Sequence, residues 1–135
     1  MKIVFLCVAN SARSQMAEAL ARRAIGTEVE IVSAGSKPTF VHPLAIEVLS
    51  ELGIDHTPAT SKGTEDVDWR NVDYVVTLCA DEVCPVHVGP GKRLHWPFSD
   101  PAAGLGSHVE KLASFRMIRD QIAARLEEWH RTLTK

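Results

Sequence analysis

The sequence contains few cysteines and tyrosines and no large excess of either charge. Its 135 residues include three cysteines and one tyrosine, and 15 basic residues nearly balance 17 acidic ones, giving a formal net charge of −2. A small, odd number of cysteines argues against a secreted disulfide framework and favours a reducing, cytoplasmic environment. Because the chain has no basic excess or basic stripe, we do not expect nucleic acid as a partner.

The sequence also lacks an apolar run of transmembrane length. Residues 3–9 follow Lys2 in an arrangement that resembles a signal peptide, but they lead directly into a helical pattern, so we interpret them as a buried strand. The chain shows no repeat, linker or low-complexity tract, and 45% of its residues are hydrophobic. We therefore expect one domain over residues 1–135 that is monomeric and has no membrane partner.

Hydrophobic patterning predicts four strands that alternate with three helices. The strands are predicted at residues 2–6, 29–32, 73–78 and 93–98, and the helices at residues 16–25, 43–52 and 108–133. Alternation of this kind produces right-handed crossovers, so the predicted fold class is α/β, with a doubly wound, mostly parallel four-stranded sheet and helices on both faces. Ligands of such sheets bind at the carboxyl ends of the strands.

The segment between the first strand and the first helix has a cysteine and an arginine six positions apart, in the order Cys7-Val8-Ala9-Asn10-Ser11-Ala12-Arg13-Ser14. The backbone N–H groups of such a loop can point at one oxyanion, with Cys7 beneath it as a nucleophile and the Arg13 guanidinium holding its oxygens. The N-terminus of the following helix favours both an anion and a thiolate. The alternative is that Cys7 is a small buried hydrophobic residue at the end of a strand.

Two further cysteines, Cys79 and Cys84, follow the third predicted strand, and Cys79 should face the same sheet edge as Cys7. A zinc site is disfavoured, because no fourth ligand and no motif of closely paired ligands accompanies these thiols. One interpretation is that both cysteines are structural. The other is redox chemistry, in which Cys79 attacks a sulfur adduct on Cys7 and Cys84 resolves the resulting disulfide by exchange.

Asp100 follows the fourth predicted strand and directly precedes Pro101. A carboxyl group at that edge is a candidate general acid for a departing oxygen. The alternative is a turn in which the Asp100 side chain accepts hydrogen bonds from the local backbone. The histidines are dispersed along the chain and none is assigned a role: His42, His56, His87, His95, His108 and His130.

Together these motifs resemble the low-molecular-weight protein tyrosine phosphatase family over nearly the whole chain, and more closely its arsenate reductase branch. The matching segments are Cys7-x5-Arg13-Ser14, Ser33-Ala34-Gly35, Thr77-Leu78-Cys79 and Asp100-Pro101. The phosphatase branch typically has an aromatic residue after the Asp-Pro pair, whereas this chain has Ala102 and Ala103 there. The reductase branch carries two further redox cysteines where Cys79 and Cys84 fall.

The resemblance implies reduction of arsenate to arsenite, with phosphate or sulfate as mimics of the substrate. The residues implied to bind arsenate are Val8, Ala9, Asn10, Ser11, Ala12 and Arg13. Cys7 would attack arsenic while Asp100 protonates the leaving hydroxyl and Ser14 hydrogen-bonds the thiolate. Cys79 would then attack Cys7 and release arsenite, and Cys84 would attack Cys79. The resulting Cys79–Cys84 disulfide would be reduced by thioredoxin, or by glutaredoxin with glutathione, and no tightly bound cofactor is implied.

The chain departs from the family pattern in three places. Ala12 stands where many relatives have a second loop cysteine. The Cys79-to-Cys84 spacing is shorter than in the thioredoxin-linked members, which leaves the reductant open. Some members hold a potassium ion through residues matching Asn10, Glu18 and Ser33, but Lys62 stands near the position of the expected acidic partner, so we predict no metal site.

Two other functions are compatible with parts of this pattern. A phosphomonoester hydrolase would need only Cys7, Arg13 and Asp100. A non-enzymatic arsenite or metal sensor would use the three thiols as ligands, but it would not need the anion loop or Asp100. A sensor would also usually carry a DNA-binding element, and the sequence shows no sign of one.

Overall fold

The computed structural model describes residues 1–26, 28–80, 90–103 and 106–133. Its elements are β1 (Lys2–Cys7), α1 (Arg13–Ile25), β2 (Glu30–Gly35), α2 (Pro43–Ser50), β3 (Tyr74–Thr77), β4 (Lys92–His95) and α3 (His108–Leu133), with a 3₁₀ turn at Thr64–Asp66. These strands pair in parallel in the order β2-β1-β3-β4, so the chain winds outward from β1 in both directions. The predicted α/β fold with a four-stranded parallel sheet is therefore confirmed.

The two faces of the sheet are covered differently. Strand β1 is buried along its whole length, and its successive side chains point to opposite faces. Ile3 and Phe5 belong to the main core with apolar residues of α1, α2 and α3, whereas Val4 and Leu6 pack with apolar residues of segment 67–72. In the described residues, the three α-helices thus lie on one face of the sheet rather than on both faces as predicted, because the other face is covered by the segment that follows the 3₁₀ turn.

Every element except α3 differs from the predicted range at one end or both; the largest differences, of three residues, are at the start of α1 and at the ends of β2 and β4. Strand β4 ends at His95 rather than at residue 98, because the regular parallel register is lost there: Trp96 N–H donates to the Thr77 carbonyl, but Phe98 N–H donates to the adjacent Leu78 carbonyl instead of to the carbonyl two residues on. Helix α2 ends at Ser50 rather than at residue 52, and Gly53, with a φ of 79°, adopts the left-handed conformation that closes its last turn. Helix α3 spans the predicted residues. No helix in the described part of the chain is both long and apolar enough to cross a membrane.

The parallel register brings three strand ends to one edge of the sheet. Cys7 pairs with Gly35, and one residue earlier Leu6 pairs with Thr77. Hydrogen bonds continue past the last ladder pairs, since Leu78 N–H donates to the Leu6 carbonyl at 3.0 Å and Phe98 N–H to the Leu78 carbonyl at 3.2 Å. The segments that carry Cys7, Cys79 and Asp100 therefore leave the sheet side by side.

Candidate active site

The loop between β1 and α1 is held from outside through its carbonyl groups. The carbonyl oxygens of Val8, Ala9 and Ser11 accept hydrogen bonds of 2.9, 3.1 and 3.0 Å from backbone N–H groups of segment 37–42. Because a trans peptide unit is planar, the N–H that follows each carbonyl points the opposite way, toward the inside of the loop. The loop thus presents converging N–H groups at the N-terminus of a helix, an arrangement that binds a tetrahedral oxyanion.

The side chain of Asn10 fixes the middle of this loop. Asn10 is fully buried and has a φ of 48°, a left-handed conformation that asparagine tolerates better than most residues. Its Oδ1 accepts hydrogen bonds from the Lys62 backbone N–H at 2.7 Å and from Gln15 Nε2 at 2.9 Å. Its Nδ2 donates to Ser14 Oγ at 2.7 Å. These contacts tie the loop to α1 and to segment 60–62.

Cys7 lies at the base of the loop beside Ser14. Its side chain is almost completely buried, and its Sγ is 2.9 Å from Ser14 Oγ. Since Ser14 Oγ already accepts a hydrogen bond from Asn10, the serine hydroxyl can donate its own proton to the sulfur. This hydrogen bond orients the sulfur of Cys7 at the base of the loop, and the thiolate form of a cysteine is the one that acts as a nucleophile.

Arg13 stands over the loop with its guanidinium held by the ends of two strands. The residue is 5% exposed, and its Nη1 donates to the Phe98 carbonyl at 3.0 Å and lies 3.5 Å from the Leu78 carbonyl. Its Nη2 is 4.0 Å from Asp100 Oδ2. The arginine that the sequence associates with the loop is therefore oriented by the segments that follow β3 and β4.

Asp100 forms the local turn considered from the sequence and also faces Arg13; its role as a general acid stays a prediction. Its Oδ1 accepts a hydrogen bond of 2.9 Å from the Ala102 N–H, so the side chain does stabilise a local turn. Its Oδ2 faces the Arg13 guanidinium, and the side chain is partly exposed at the rim of the site. A carboxyl group in this position can deliver a proton to a group leaving the oxyanion.

The cysteines are in different states. Cys7 is a free thiol, whereas Cys79, which is 1% exposed, is disulfide-bonded. Cys79 lies one residue beyond Leu78, whose N–H bonds to the carbonyl of Leu6, so it leaves the sheet next to Cys7. Cys84 lies outside the described residues, and its predicted redox role remains a prediction.

Sequence analysis missed two buried polar residues behind the loop, Gln15 and His56. Gln15 Nε2 lies within hydrogen-bond distance of the Asn10 carbonyl at 3.1 Å, of Asn10 Oδ1 at 2.9 Å and of the Thr60 carbonyl at 3.0 Å. Because all three are acceptors, Gln15 Oε1 must face His56, and His56 therefore carries its proton on Nε2, at 2.7 Å. These residues are 41 positions apart in the sequence. The one feature that could have indicated the pair is a polar residue, Gln15, at the start of a helix whose following residues are mainly apolar.

The stability of the protein should depend on pH through His56. Burial lowers the pKa of His56 from its ordinary value of 6.5, so the unfolded chain takes up the proton first as the pH falls. The contribution of neutral His56 is fully present above about pH 6.5 and is lost below it. We expect the free energy of unfolding, measured by urea titration from pH 8 to pH 5, to fall more steeply for the native sequence than for His56→Gln. Equal slopes would contradict this assignment.

Comparison with known proteins agrees with the geometry of the site. Residues 2–135 match the family described as low molecular weight phosphotyrosine protein phosphatase. An arsenate reductase of Bacillus subtilis is 42% identical over 132 residues, which are 96% of this chain and 95% of that protein. A solved arsenate reductase in the phosphate binding state is 32% identical, with a TM-score of 0.80 and 97% of each chain covered.

A thioredoxin-dependent arsenate reductase of Corynebacterium glutamicum is 32% identical, with a TM-score of 0.74, and the match covers 98% of this chain and 61% of that one. Two proteins can share a fold at much lower sequence identity than the 42% found over nearly the full length of this chain and the Bacillus protein. The chain therefore belongs to the low molecular weight phosphotyrosine protein phosphatase family, in its arsenate reductase branch.

Proposed function

We propose that this enzyme reduces arsenate to arsenite through a relay of Cys7, Cys79 and Cys84. The observation that carries the proposal is the placement of a free, buried Cys7 in an anion-binding loop, at the sheet edge where a disulfide-bonded Cys79 also emerges. The similarity to the Bacillus arsenate reductase supports it. We propose that the protein works in the cytoplasm as a single-domain monomer without a tightly bound cofactor.

In the first step, arsenate binds to the N–H groups of loop residues 8–13 and to the Arg13 guanidinium. The Cys7 thiolate, hydrogen-bonded by Ser14, attacks arsenic. A sulfur–arsenic bond forms, an arsenic–oxygen bond breaks, and the departing hydroxide leaves as water with a proton from Asp100. A solved relative in a phosphate binding state supports oxyanion binding at this family's site.

In the second step, the Cys79 thiolate attacks the Cys7 sulfur. A Cys7–Cys79 disulfide forms, the sulfur–arsenic bond breaks, and its electron pair stays on arsenic, which leaves as arsenite. Cys84 then attacks Cys79 and releases the Cys7 thiolate. A free Cys7 beside an oxidised Cys79 is the state expected at this stage of the cycle.

Thioredoxin, or glutathione with glutaredoxin, then reduces the remaining disulfide and supplies the two electrons that arsenic received. The thioredoxin-dependent relative from Corynebacterium favours thioredoxin as the partner.

A second candidate function is hydrolysis of phosphomonoesters. Cys7, Arg13 and Asp100 are sufficient for it, and the Asp100 carboxylate faces Arg13 at the rim of the loop, where a leaving group would need a proton. Ala102 and Ala103 offer no aromatic surface on which a phosphotyrosine ring would stack. We therefore place phosphatase activity second, as a side reaction that shares the first nucleophilic step.

The test is arsenate-dependent NADPH oxidation in the presence of thioredoxin and thioredoxin reductase. Cys79→Ser and Cys84→Ser should each lower arsenate turnover by more than about 100-fold. Hydrolysis of p-nitrophenyl phosphate should change by less than about twofold, because the first step needs neither cysteine. If neither thioredoxin nor glutaredoxin with glutathione supports arsenate reduction while the phosphate ester is hydrolysed rapidly, the protein is a phosphatase.

A further inference from the structure

A buried carboxylate, Glu18, lies on α1 behind the anion loop. The residue is 3% exposed, and its Oε1 accepts a hydrogen bond of 3.1 Å from Ser33 Oγ on β2. Lys62 Nζ lies 3.9 Å from the same oxygen, and Arg22 Nη1 lies 3.3 Å from Glu18 Oε2. These partners compensate the side chain for the hydration it loses on burial.

The residues around Glu18 do not fit the potassium ion that some relatives hold. Both acceptor positions of Asn10 Oδ1 are taken by N–H donors, from Gln15 and from the Lys62 backbone. The Ser33 hydroxyl donates to Glu18. A metal cation beside Glu18 would also be repelled by the Lys62 ammonium and the Arg22 guanidinium.

We propose that the ammonium group of Lys62 takes the place of a bound monovalent cation and positions the anion loop. Its Nζ donates to the Thr60 carbonyl at 2.9 Å and faces the Glu18 carboxylate, so it anchors segment 60–62 to α1. Lys62 is a positioning residue, because it acts on the site through Asn10. The enzyme consequently has a fixed positive charge beside Glu18, near the position where the family resemblance implies that some members hold a potassium ion.

Three consecutive hydrogen bonds link the position of segment 60–62 to the Cys7 nucleophile. The Lys62 N–H holds Asn10 Oδ1, Asn10 Nδ2 holds Ser14 Oγ, and Ser14 Oγ contacts Cys7 Sγ. If segment 60–62 moves away from Glu18, Asn10 Oδ1 loses one of the two N–H donors that hold it, and the loop N–H groups no longer converge. Weaker oxyanion binding is the expected result, since positioning of donors is what a site of this type supplies.

The test compares thermal unfolding of the native sequence and Lys62→Met in potassium chloride and in choline chloride at equal ionic strength. Methionine keeps the backbone N–H to Asn10 and much of the stem but removes the ammonium. The melting temperature of the native protein should be the same in both salts within about 1 °C. Lys62→Met should melt lower in choline chloride and gain about 3–6 °C in potassium chloride, because Glu18, Ser33 and the Thr60 carbonyl then offer oxygen ligands.

Kinetics separate positioning from a merely structural role. In choline chloride, Lys62→Met should raise both the KM for p-nitrophenyl phosphate and the inhibition constant of phosphate by about tenfold, with a smaller change in kcat, and potassium should reverse the effect. Lys62→Arg, which keeps a positive charge, should behave like the native protein in both salts. If Lys62→Met does not fold, Lys62→Gln replaces it in the same comparison.

Two outcomes would overturn the inference: a native protein that potassium stabilises as much as it does the variant, or a variant that does not respond to potassium. The inference rests on the proposed function only in taking the Cys7 loop as the anion site. The salt response of the melting temperature needs no arsenate chemistry. A failure to reduce arsenate would therefore contradict the proposed function and leave this inference standing.

Discussion

Replacing Cys7 with serine should lower both arsenate reduction and hydrolysis of p-nitrophenyl phosphate by at least about 10³-fold. A serine hydroxyl stays protonated at neutral pH, so the nucleophile of the first step is lost. Arsenate reduction has a second requirement, because oxygen cannot form the disulfide that leaves an electron pair on arsenic. The loss should therefore be complete in the NADPH-coupled assay and at least 10³-fold in the ester assay.

The same variant provides its own control for folding and anion binding. Serine is close in size to cysteine and keeps the hydrogen bond to Ser14, and the loop N–H groups and Arg13 are unchanged. Added phosphate should still raise the melting temperature of Cys7→Ser, as it should for the native protein. Ester hydrolysis that survives in Cys7→Ser would place the nucleophile elsewhere.

Replacing Gly35 with alanine should lower activity by about 100-fold and destabilise the protein by about 1–3 kcal/mol. Gly35 ends β2 directly against the anion loop. A Cβ atom there would collide with the Val8 carbonyl oxygen and lie 2.8 Å from the Asn10 backbone nitrogen. Both are backbone atoms of the loop that must bind the oxyanion, so the loop itself has to move. Assays of both activities, together with urea unfolding, measure the two effects.

Gly63→Ala is the matched control, because Gly63 forms an isolated bridge with Gly35. Gly63 has a φ of −86°, which alanine adopts without strain, and the atoms nearest to a Cβ there belong to the Glu65 side chain, at 3.0 Å and beyond. An exposed glutamate can turn away at little cost. We expect both activities to stay within about twofold of the native protein and stability to change by less than about 0.5 kcal/mol. Equal losses in the two variants would mean that loop displacement is not the cause.

The site residues that could be predicted from the sequence are those in the segments that directly follow the end of a strand. Cys7 and Arg13 flank one short loop between a strand and a helix, and Cys79 and Asp100 each follow a strand, so the rule that ligands bind at the carboxyl ends of parallel strands was enough. Helix α3 was also predicted with its observed ends, because its apolar stripe is long and regular.

The parts that sequence analysis missed depend on contacts between distant segments. His56 reaches Gln15 across 41 positions, and nothing near either residue in the sequence indicates the pair. Lys62 was recognised only as a departure from the family pattern, and its contact with Glu18 required the packing of segment 60–62 against α1. The end of β4 was misplaced because the alternation of Leu94, Trp96 and Phe98 continues past His95, whereas the regular backbone pairing with β3 stops there.

The hydrogen bonds that fasten the loop carbonyls to segment 37–42 leave the pocket little freedom to adjust its shape to one anion. Arsenate and phosphate are tetrahedral, equally charged and of similar size, so a rigid ring of N–H donors accepts both. In the proposed relay, discrimination then comes after binding, because only arsenic accepts the electron pair that remains when Cys79 attacks Cys7. Phosphate occupies the pocket and departs unchanged. We therefore expect phosphate to compete with arsenate for the loop and to slow arsenate reduction even when the reductant is plentiful.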